Sequence, residues 1–417
     1  MSGRIATNLR QRSLSHQRTT FLAASGLSTA GSFAGLTTKG WILLQGSDSP
    51  LLLALHFAML ALPTLVVSGW AGVATDRHGA ERVLIWAQWG LFAAALLGAV
   101  AIPLTTGTPQ LVMLLGSTLL MGVASAYELT ARNKYCALLV PEPEQLGGYL
   151  TSFSVVFNLG KLVGPPLGGW LVAVSGPAVA LAIDAATYLV PIAVVIGLMQ
   201  PQRDLEIRSA AGQAASLATA WQEAGSTLRH VMRFAAAACL ACFFHPALAP
   251  LMAKDVLGPS PQALGAYTGI LAAGSIVGGV LLRRHSLWLS ERPALLLGGC
   301  TTITGLAQLA MAVAGLRGAL WVGLAGTFAI GAGTAALLAG VNMISQVGAP
   351  VAIRGRMAGL GQIAFLGGGG ASGLLASLIT MGAGLVSSFA VLGGIALALG
   401  ARELIVRGGM RLQLRST

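Results

Sequence analysis

Charges are so sparse along this chain that twelve stretches of about twenty residues pass with one charge or none, and that is the length the hydrocarbon layer of a membrane requires. They fall near residues 20–44, 51–73, 83–104, 109–131, 148–174, 177–199, 232–253, 262–282, 293–314, 318–340, 357–380 and 383–401. Hydrophobic residues make up 55% of the chain, charged residues only 9%, and Gly alone 56 of 417. A water-bathed surface needs far more charge than that. The solvent is therefore lipid, and the expected fold is an all-α membrane protein of twelve transmembrane helices.

The distribution of the basic residues sets an orientation. With twelve spans, both termini and the even-numbered turns share one side, and all of the 25 Lys and Arg lie there except Lys39, Lys161, Lys254 and Arg317. Such a bias marks the cytoplasmic side, so a net charge of +12 reports topology and attraction to anionic lipid heads, not nucleic acid. The run after Arg18 is too long, and too free of a small-residue exit, for a cleaved signal peptide, and is expected to stay as the first span. Cys136, Cys239, Cys242 and Cys300 supply neither a disulfide framework nor a metal-ligand pattern, and are expected to be packing residues.

The longest polar stretch, residues 200–231, divides the chain into six spans and six spans, giving a first bundle over 1–199, a cytoplasmic linker over 200–231 and a second bundle over 232–417 with a basic tail. The halves resemble each other. Asn133 to Pro141 after the fourth span and Asn342 to Pro350 after the tenth have the same Asn-to-Pro spacing, and at the same offset the glycines after Gly160 fall on "FLGGGGASGLLAS", residues 365–377. A repeat of six spans implies two pseudo-symmetric six-helix bundles with a substrate path between them.

Between the second and third spans, "GVATDRHGAER" needs glycines where two helices turn tightly, and Asp76 at the positive end of a helix is well placed. Gly72, Asp76, Arg77 and Gly79 match G-x-x-x-D-R-x-G, the loop signature of the major facilitator superfamily, which the chain resembles along its whole length. The resemblance implies a conformational latch of Gly72, Asp76, Arg77 and Gly79, with Arg132 among the basic groups nearby. Ala80 and Glu81 stand where the family pattern continues with basic residues, and the second-half copy, "GGVLLRRHS", lacks the Asp.

On the fifth span, "NLGKLVGPPLGGW" places Gly160, Gly164 and Gly168 on one helical face, which permits close backbone approach where lipid gives helices no hydrophobic push together. Pro165 and Pro166 remove amides from the helical ladder, so a kink is expected there. The full string of Gly160, Gly164, Pro165, Gly168 and Gly169 resembles the fifth-span signature of the superfamily's exporters. "ALLVPEPEQLGGYLTSF", "AIDAATYLVP" and "SQVGAPVAIRGRMAGL" resemble the exporter branch that holds macrolide efflux pumps and the enterobactin siderophore exporter.

Ionisable residues at membrane depth are costly and are functional candidates by default. Glu128 stands one turn before Arg132, so it is either a structural ion pair supporting the latch or a proton site. Asp184, about two turns into the sixth span, either anchors that helix or takes a proton or cargo. Lys161 is too deep to snorkel out; it faces the cavity, meeting an anionic group on the cargo or a carboxylate such as Asp184. Lys39 lies nearer the outer face, where its stem reaches water. His245, before Pro246, is satisfied by a backbone carbonyl or relays protons. His56 is shallow. More cations than carboxylates suggests a negatively charged or hydroxyl-rich cargo.

These readings make the chain a secondary active exporter of a small organic molecule, siderophore-like or drug, working by alternating access against proton re-entry. It is expected in the bacterial inner membrane, with both termini cytoplasmic, as a functional monomer. Its partners are cargo, protons and lipids, with no nucleic acid, cofactor or metal. No phosphate-binding G-x-x-x-x-G-K-[ST], H-E-x-x-H or G-x-S-x-G string is present, so neither ATP-driven transport nor an enzyme is expected. An uptake symporter of the same fold and a non-transporting binding or assembly factor are the alternatives.

Overall fold

The computed structural model describes residues 2–140, 143–198, 221–349 and 354–409. The first half contributes α1 (Ser2–Ser47), α2 (Pro50–His78), α3 (Ala80–Leu104), α4 (Thr108–Leu139), α5 (Pro143–Ser175) and α6 (Pro177–Leu198). The second contributes α7 (Ser226–Cys242), α8 (His245–Leu257), α9 (Pro261–Arg284), the short α10 (Ser286–Ser290), α11 (Pro293–Arg317), α12 (Leu320–Gly348), α13 (Arg354–Ala383) and α14 (Leu385–Arg407). Taking α7 and α8 as one crossing, the long helices among the described residues make twelve. Ten crossings among the described residues are long and apolar enough for a membrane on length and composition, and α1 and α13 are the other two. Large apolar side chains face outward, Trp321 at 80% and Leu104 at 72% exposure among them, as a lipid solvent requires.

α1 owes its place among the spans to local bonding. It is rich in Ser and Thr, but Thr29, Ser32, Thr37 and Thr38 donate their hydroxyls to the carbonyls of Ser25, Ser28, Phe33 and Ala34. Each hydroxyl is spent on the turn below it, which leaves a helix with little unmet polarity. Helix ends are set by glycine: Gly79 between α2 and α3 has φ 86°, the left-handed region that spares the chain a Cβ clash. At α9 the start is chemical, Ser260 Oγ accepting from the Ala263 amide at 3.1 Å with Pro261 in the first turn.

One expectation needs correction. The seventh span does not run unbroken over 232–253: the helix stops at Cys242 and restarts at His245, with Phe243 and Phe244 between. Pro246 has no amide to give the Cys242 carbonyl four residues before it, and its ring crowds that carbonyl, so one helix ends at Cys242 and another starts with the proline in its first turn. The fifth span runs as one helix through Pro165 and Pro166. Residues 200–220 of the expected linker, the repeat's Pro141 and Pro350, and residues 410–417 of the tail lie outside the described residues.

The chain separates into two compact units, Met1–Ile42 with Val66–Gln213, and Leu43–Leu65 with Ala214–Thr417. The α1–α2 hairpin tip thus goes with the second unit. The first is centred on Phe21, Leu84, Tyr135, Leu139 and Phe153, the second on Val231, Phe234, Cys242, Leu297, Leu337 and Ile344. The pairings α3 with α4 and α3 with α6 recur as α11 with α12 and α11 with α14, six spans on. The four cysteines are free.

Candidate functional site

In the first unit the site is built around α1. A Cβ on Gly164 would stand 2.5 Å from the Ala30 carbonyl oxygen, one on Gly168 2.5 Å from that of Ala34, and one on Gly160 2.8 Å from Thr29 Cγ2. The glycine face of α5 therefore lies backbone to backbone on α1. The second unit repeats the device: a Cβ on Gly368 would reach Cys239 Cβ at 2.7 Å and one on Gly373 would reach Ala247 Cβ at 2.6 Å, so α13 leans on α7 and α8 as α5 leans on α1.

A different face of α1 meets α6. A side chain at Gly31 would overlap Thr187, and one at Gly35 would overlap the Asp184 carboxylate. One turn beyond Gly35 is Lys39, wholly buried at 0% exposure. Its stem runs along α3, where a Cβ on Gly98 would sit 3.1 Å from Lys39 Cε, 3.3 Å from Leu181 Cδ1 and 3.5 Å from Ser117 Oγ. This corrects the sequence expectation that Lys39 reaches water near the outer face: Gly98 on α3 makes room for its stem inside the bundle. Asp184 is 1% exposed, and neither its two oxygens nor Lys39 Nζ has a hydrogen-bond partner among the described residues. The two charges act on each other electrostatically but stand farther apart than an ion pair. Tyr188 also acts on Asp184, while its hydroxyl is paired with Ser32 Oγ at 2.7 Å.

The remaining candidates are arranged differently. Glu128 and Arg132 form an ion pair at 2.9 Å, and the Arg132 guanidinium lies 5.4 Å from the Phe153 ring centre. Lys161 is half-buried beside Gly160, and the cation acting on Asp184 is Lys39 rather than Lys161. In the last turn of α2, Asp76 accepts from Lys134 Nζ at 2.7 Å, so Lys134 takes the place expected of Arg132. Arg77 is exposed, and Gly72 has open space around it. His56 is buried at 7% exposure.

His245 is not held by a carbonyl. It opens α8 at 1% exposure, with Nε2 at 3.0 Å from Gln308 Nε2, and the same amide nitrogen lies 3.2 Å from the Ala241 oxygen. Because the helix stops at Cys242, Ala241 has lost its next-turn amide, and Gln308 replaces it. The carbonyl only accepts, so the Gln308 nitrogen must be turned toward it, and its second hydrogen goes to His245 Nε2. The imidazole is thereby the neutral form with its proton on Nδ1, an atom without a partner among the described residues. Gln308 escaped the sequence reading, which searched the spans for charges. Nearby, Met252, Asp255, Val256, Met311 and Phe389 help line a cavity of about 360 Å³. Among the described residues no cluster of His, Cys, Asp and Glu could hold a metal.

Comparison with known proteins agrees with this architecture. The solved D-xylose-proton symporter superposes with a TM-score of 0.75 at 14% identity, over 93% of this chain and 96% of that one. Nucleoside transporter NupG gives 0.71 at 14% over 93% and 99%, and a bacterial homologue of the iron transporter ferroportin gives 0.67 at 19% over 94% and 97%. At such identities the likeness is one of fold. In sequence, the multidrug efflux pump Tap of Mycolicibacterium fortuitum is 29% identical over 158 residues, a match spanning 36% of this chain and only 37% of that pump. A family described as transmembrane secretion effector, of the major facilitator type, matches residues 13–411. The chain therefore belongs to the transmembrane secretion effector family of major facilitator transporters.

Proposed function

We propose that this chain exports a small organic molecule, siderophore-like or drug, from the bacterial cell by alternating access, driven by protons moving inward. The observation that carries the direction is the fifth helix: the exporter-type string from Gly160 to Gly169 is present, and its Gly160, Gly164 and Gly168 are each in use against α1. The similarity to a multidrug efflux pump supports the same direction. The protein works as a monomer in the inner membrane, with both termini in the cytoplasm, where the basic turns belong by the positive-inside bias. Asp76 with Gly72, Arg77 and Gly79 latches the cytoplasmic side, Lys134 being its cationic partner.

The test has two steps. Comparing the medium and cell contents of wild-type and deletion strains identifies the metabolite that stays trapped when the protein is missing. Inverted membrane vesicles are then given that metabolite. Export predicts accumulation in the vesicle lumen when the lumen is acid, collapsing when a protonophore is added. Accumulation only in right-side-out vesicles would make the chain an uptake symporter instead.

A further inference from the structure

The buried charges of the first unit are not equivalent to the other ion pairs of the chain. Among the described residues Glu128 with Arg132 closes at 2.9 Å, Asp76 with Lys134 at 2.7 Å, Asp48 with Lys254 at 2.8 Å and, if the imidazole is charged, His230 with Glu403 at 2.8 Å. Each of those pairs is closed and has at least one partly exposed member, Glu403 alone being buried. Lys39 and Asp184 are the reverse: sealed in, and unbridged. A charge pair of that kind is a poor structural element, because removal from water is compensated only by close contact and further hydrogen bonds. Three helices omit side chains or turn small ones inward to accommodate it, through Gly35 on α1, Gly98 on α3 and Ser117 on α4. Intramembrane charges kept at such cost mark ion pathways.

We propose that Lys39 and Asp184 form the proton-binding site of this transporter. The proton adds to a carboxylate oxygen of Asp184 while Lys39 keeps its ammonium, so the site passes from net neutral to one positive charge. The attraction between α1 and α6 at this point is then removed, and α1, lying between the glycine face of α5 and α6, is the helix that registers the change. The groups acting on Asp184 are Lys39 from α1 and Tyr188 from its own helix; beside the Lys39 stem, α3 and α4 present Gly98 and Ser117, which do not titrate. Glu128 reaches the site only through its effect on Tyr188. Of the other candidates, Glu128 is bridged to Arg132, and His245 Nε2 already takes a hydrogen from Gln308 while its Nδ1 has no partner among the described residues.

The role in coupling rests on the reading of the chain as a proton-driven exporter, but the site can be tested without any cargo. Infrared difference spectra of the full-length protein in liposomes, recorded as pH is lowered, should show the C=O stretch of a protonated carboxylic acid shielded from water. That band should vanish in Asp184→Asn, change frequency in Asp184→Glu, and titrate over a different pH range in Lys39→Gln. A band unchanged in Asp184→Asn, or no such band while the protein stays folded, overturns the proposal. Removing one charge leaves the other uncompensated, so single variants should yield several-fold less folded protein than Lys39→Gln/Asp184→Asn, in which both are gone. In vesicles, the double variant should exchange labelled for unlabelled metabolite across the membrane yet accumulate none against a gradient. Gradient-driven accumulation that survives in it also overturns the site. If wild-type vesicles ignore the proton gradient while the band behaves as described, the reading of the chain as proton-driven falls instead.

Discussion

The contact between α5 and α1 can be challenged with one methyl group. In Gly164→Ala the new carbon would lie 2.5 Å from the Ala30 oxygen and 2.7 Å from Phe33 Cβ. Ordinary contacts begin near 3.5 Å, so the helices must separate by about 1 Å, a gap that forfeits a quarter to a half of the dispersion energy along the seam. The obstacle at Ala30 is backbone, which cannot swing aside, so the cost belongs at the upper end of the 1–3 kcal/mol typical of overpacking, about 3 kcal/mol. Gly116→Ala on α4 is the control. Nothing lies within 4 Å of its Cβ position, and the same methyl should be neutral or stabilise by up to about 1 kcal/mol through reduced backbone freedom when unfolded. Reversible unfolding in mixed detergent micelles, followed by circular dichroism, compares the two, and Gly168→Ala should side with Gly164→Ala. Equal stability of Gly164→Ala and Gly116→Ala would refute the close approach, and with it the account of why the fifth span carries its glycines.

Other substitutions probe separate parts of the chain. Gln308→Leu leaves the Ala241 carbonyl and His245 Nε2 without their donor in a buried site, and should cost about 1–3 kcal/mol in the same unfolding assay. Asp48→Asn removes the carboxylate that Lys254 holds with both oxygens, at 2.8 and 2.9 Å; with side chains 64% and 34% exposed, the loss should be roughly 0.2–1 kcal/mol and disappear in concentrated salt. Asp76→Asn should cost no more than about 1 kcal/mol in stability, yet slow vesicle transport markedly, and the exchanged pair Asp76→Lys/Lys134→Asp should recover part of the rate. Slow transport with no recovery would separate Asp76 from Lys134.

The sequence disclosed what depends on periodicity. Span boundaries, the glycine face of α5 and the neighbourly pairing of Glu128 with Arg132 follow from spacings of one to a few turns, which a helix converts directly into shared faces. Lys39 was misjudged because counting residues along a span gives depth and not direction around the axis. A signal was nonetheless present: Gly31, Gly35 and Lys39 recur every four residues, so the lysine lies on the face of α1 that has no side chains, which is where a neighbouring helix comes closest. The surplus of interior cations inferred from composition is likewise reduced once Lys39 is set against Asp184. The break of the seventh span was marked by Pro246, whose effect fell on the residues ahead of it. Gln308 could not be matched to Ala241 in advance, because their separation of 67 residues carries no local pattern.

The interrupted seventh span has an electrostatic consequence. A continuous helix keeps its partial charges at its two ends, near the membrane surfaces, whereas the break creates an extra pair in the interior: a negative end at Cys242 and a positive end at His245, each equivalent to about half an elementary charge. The two repeats share their glycine framework but differ in how they become polar at depth. The first buries ionisable side chains, Lys39 and Asp184, whereas the second adds fixed dipoles that no change of pH will switch off.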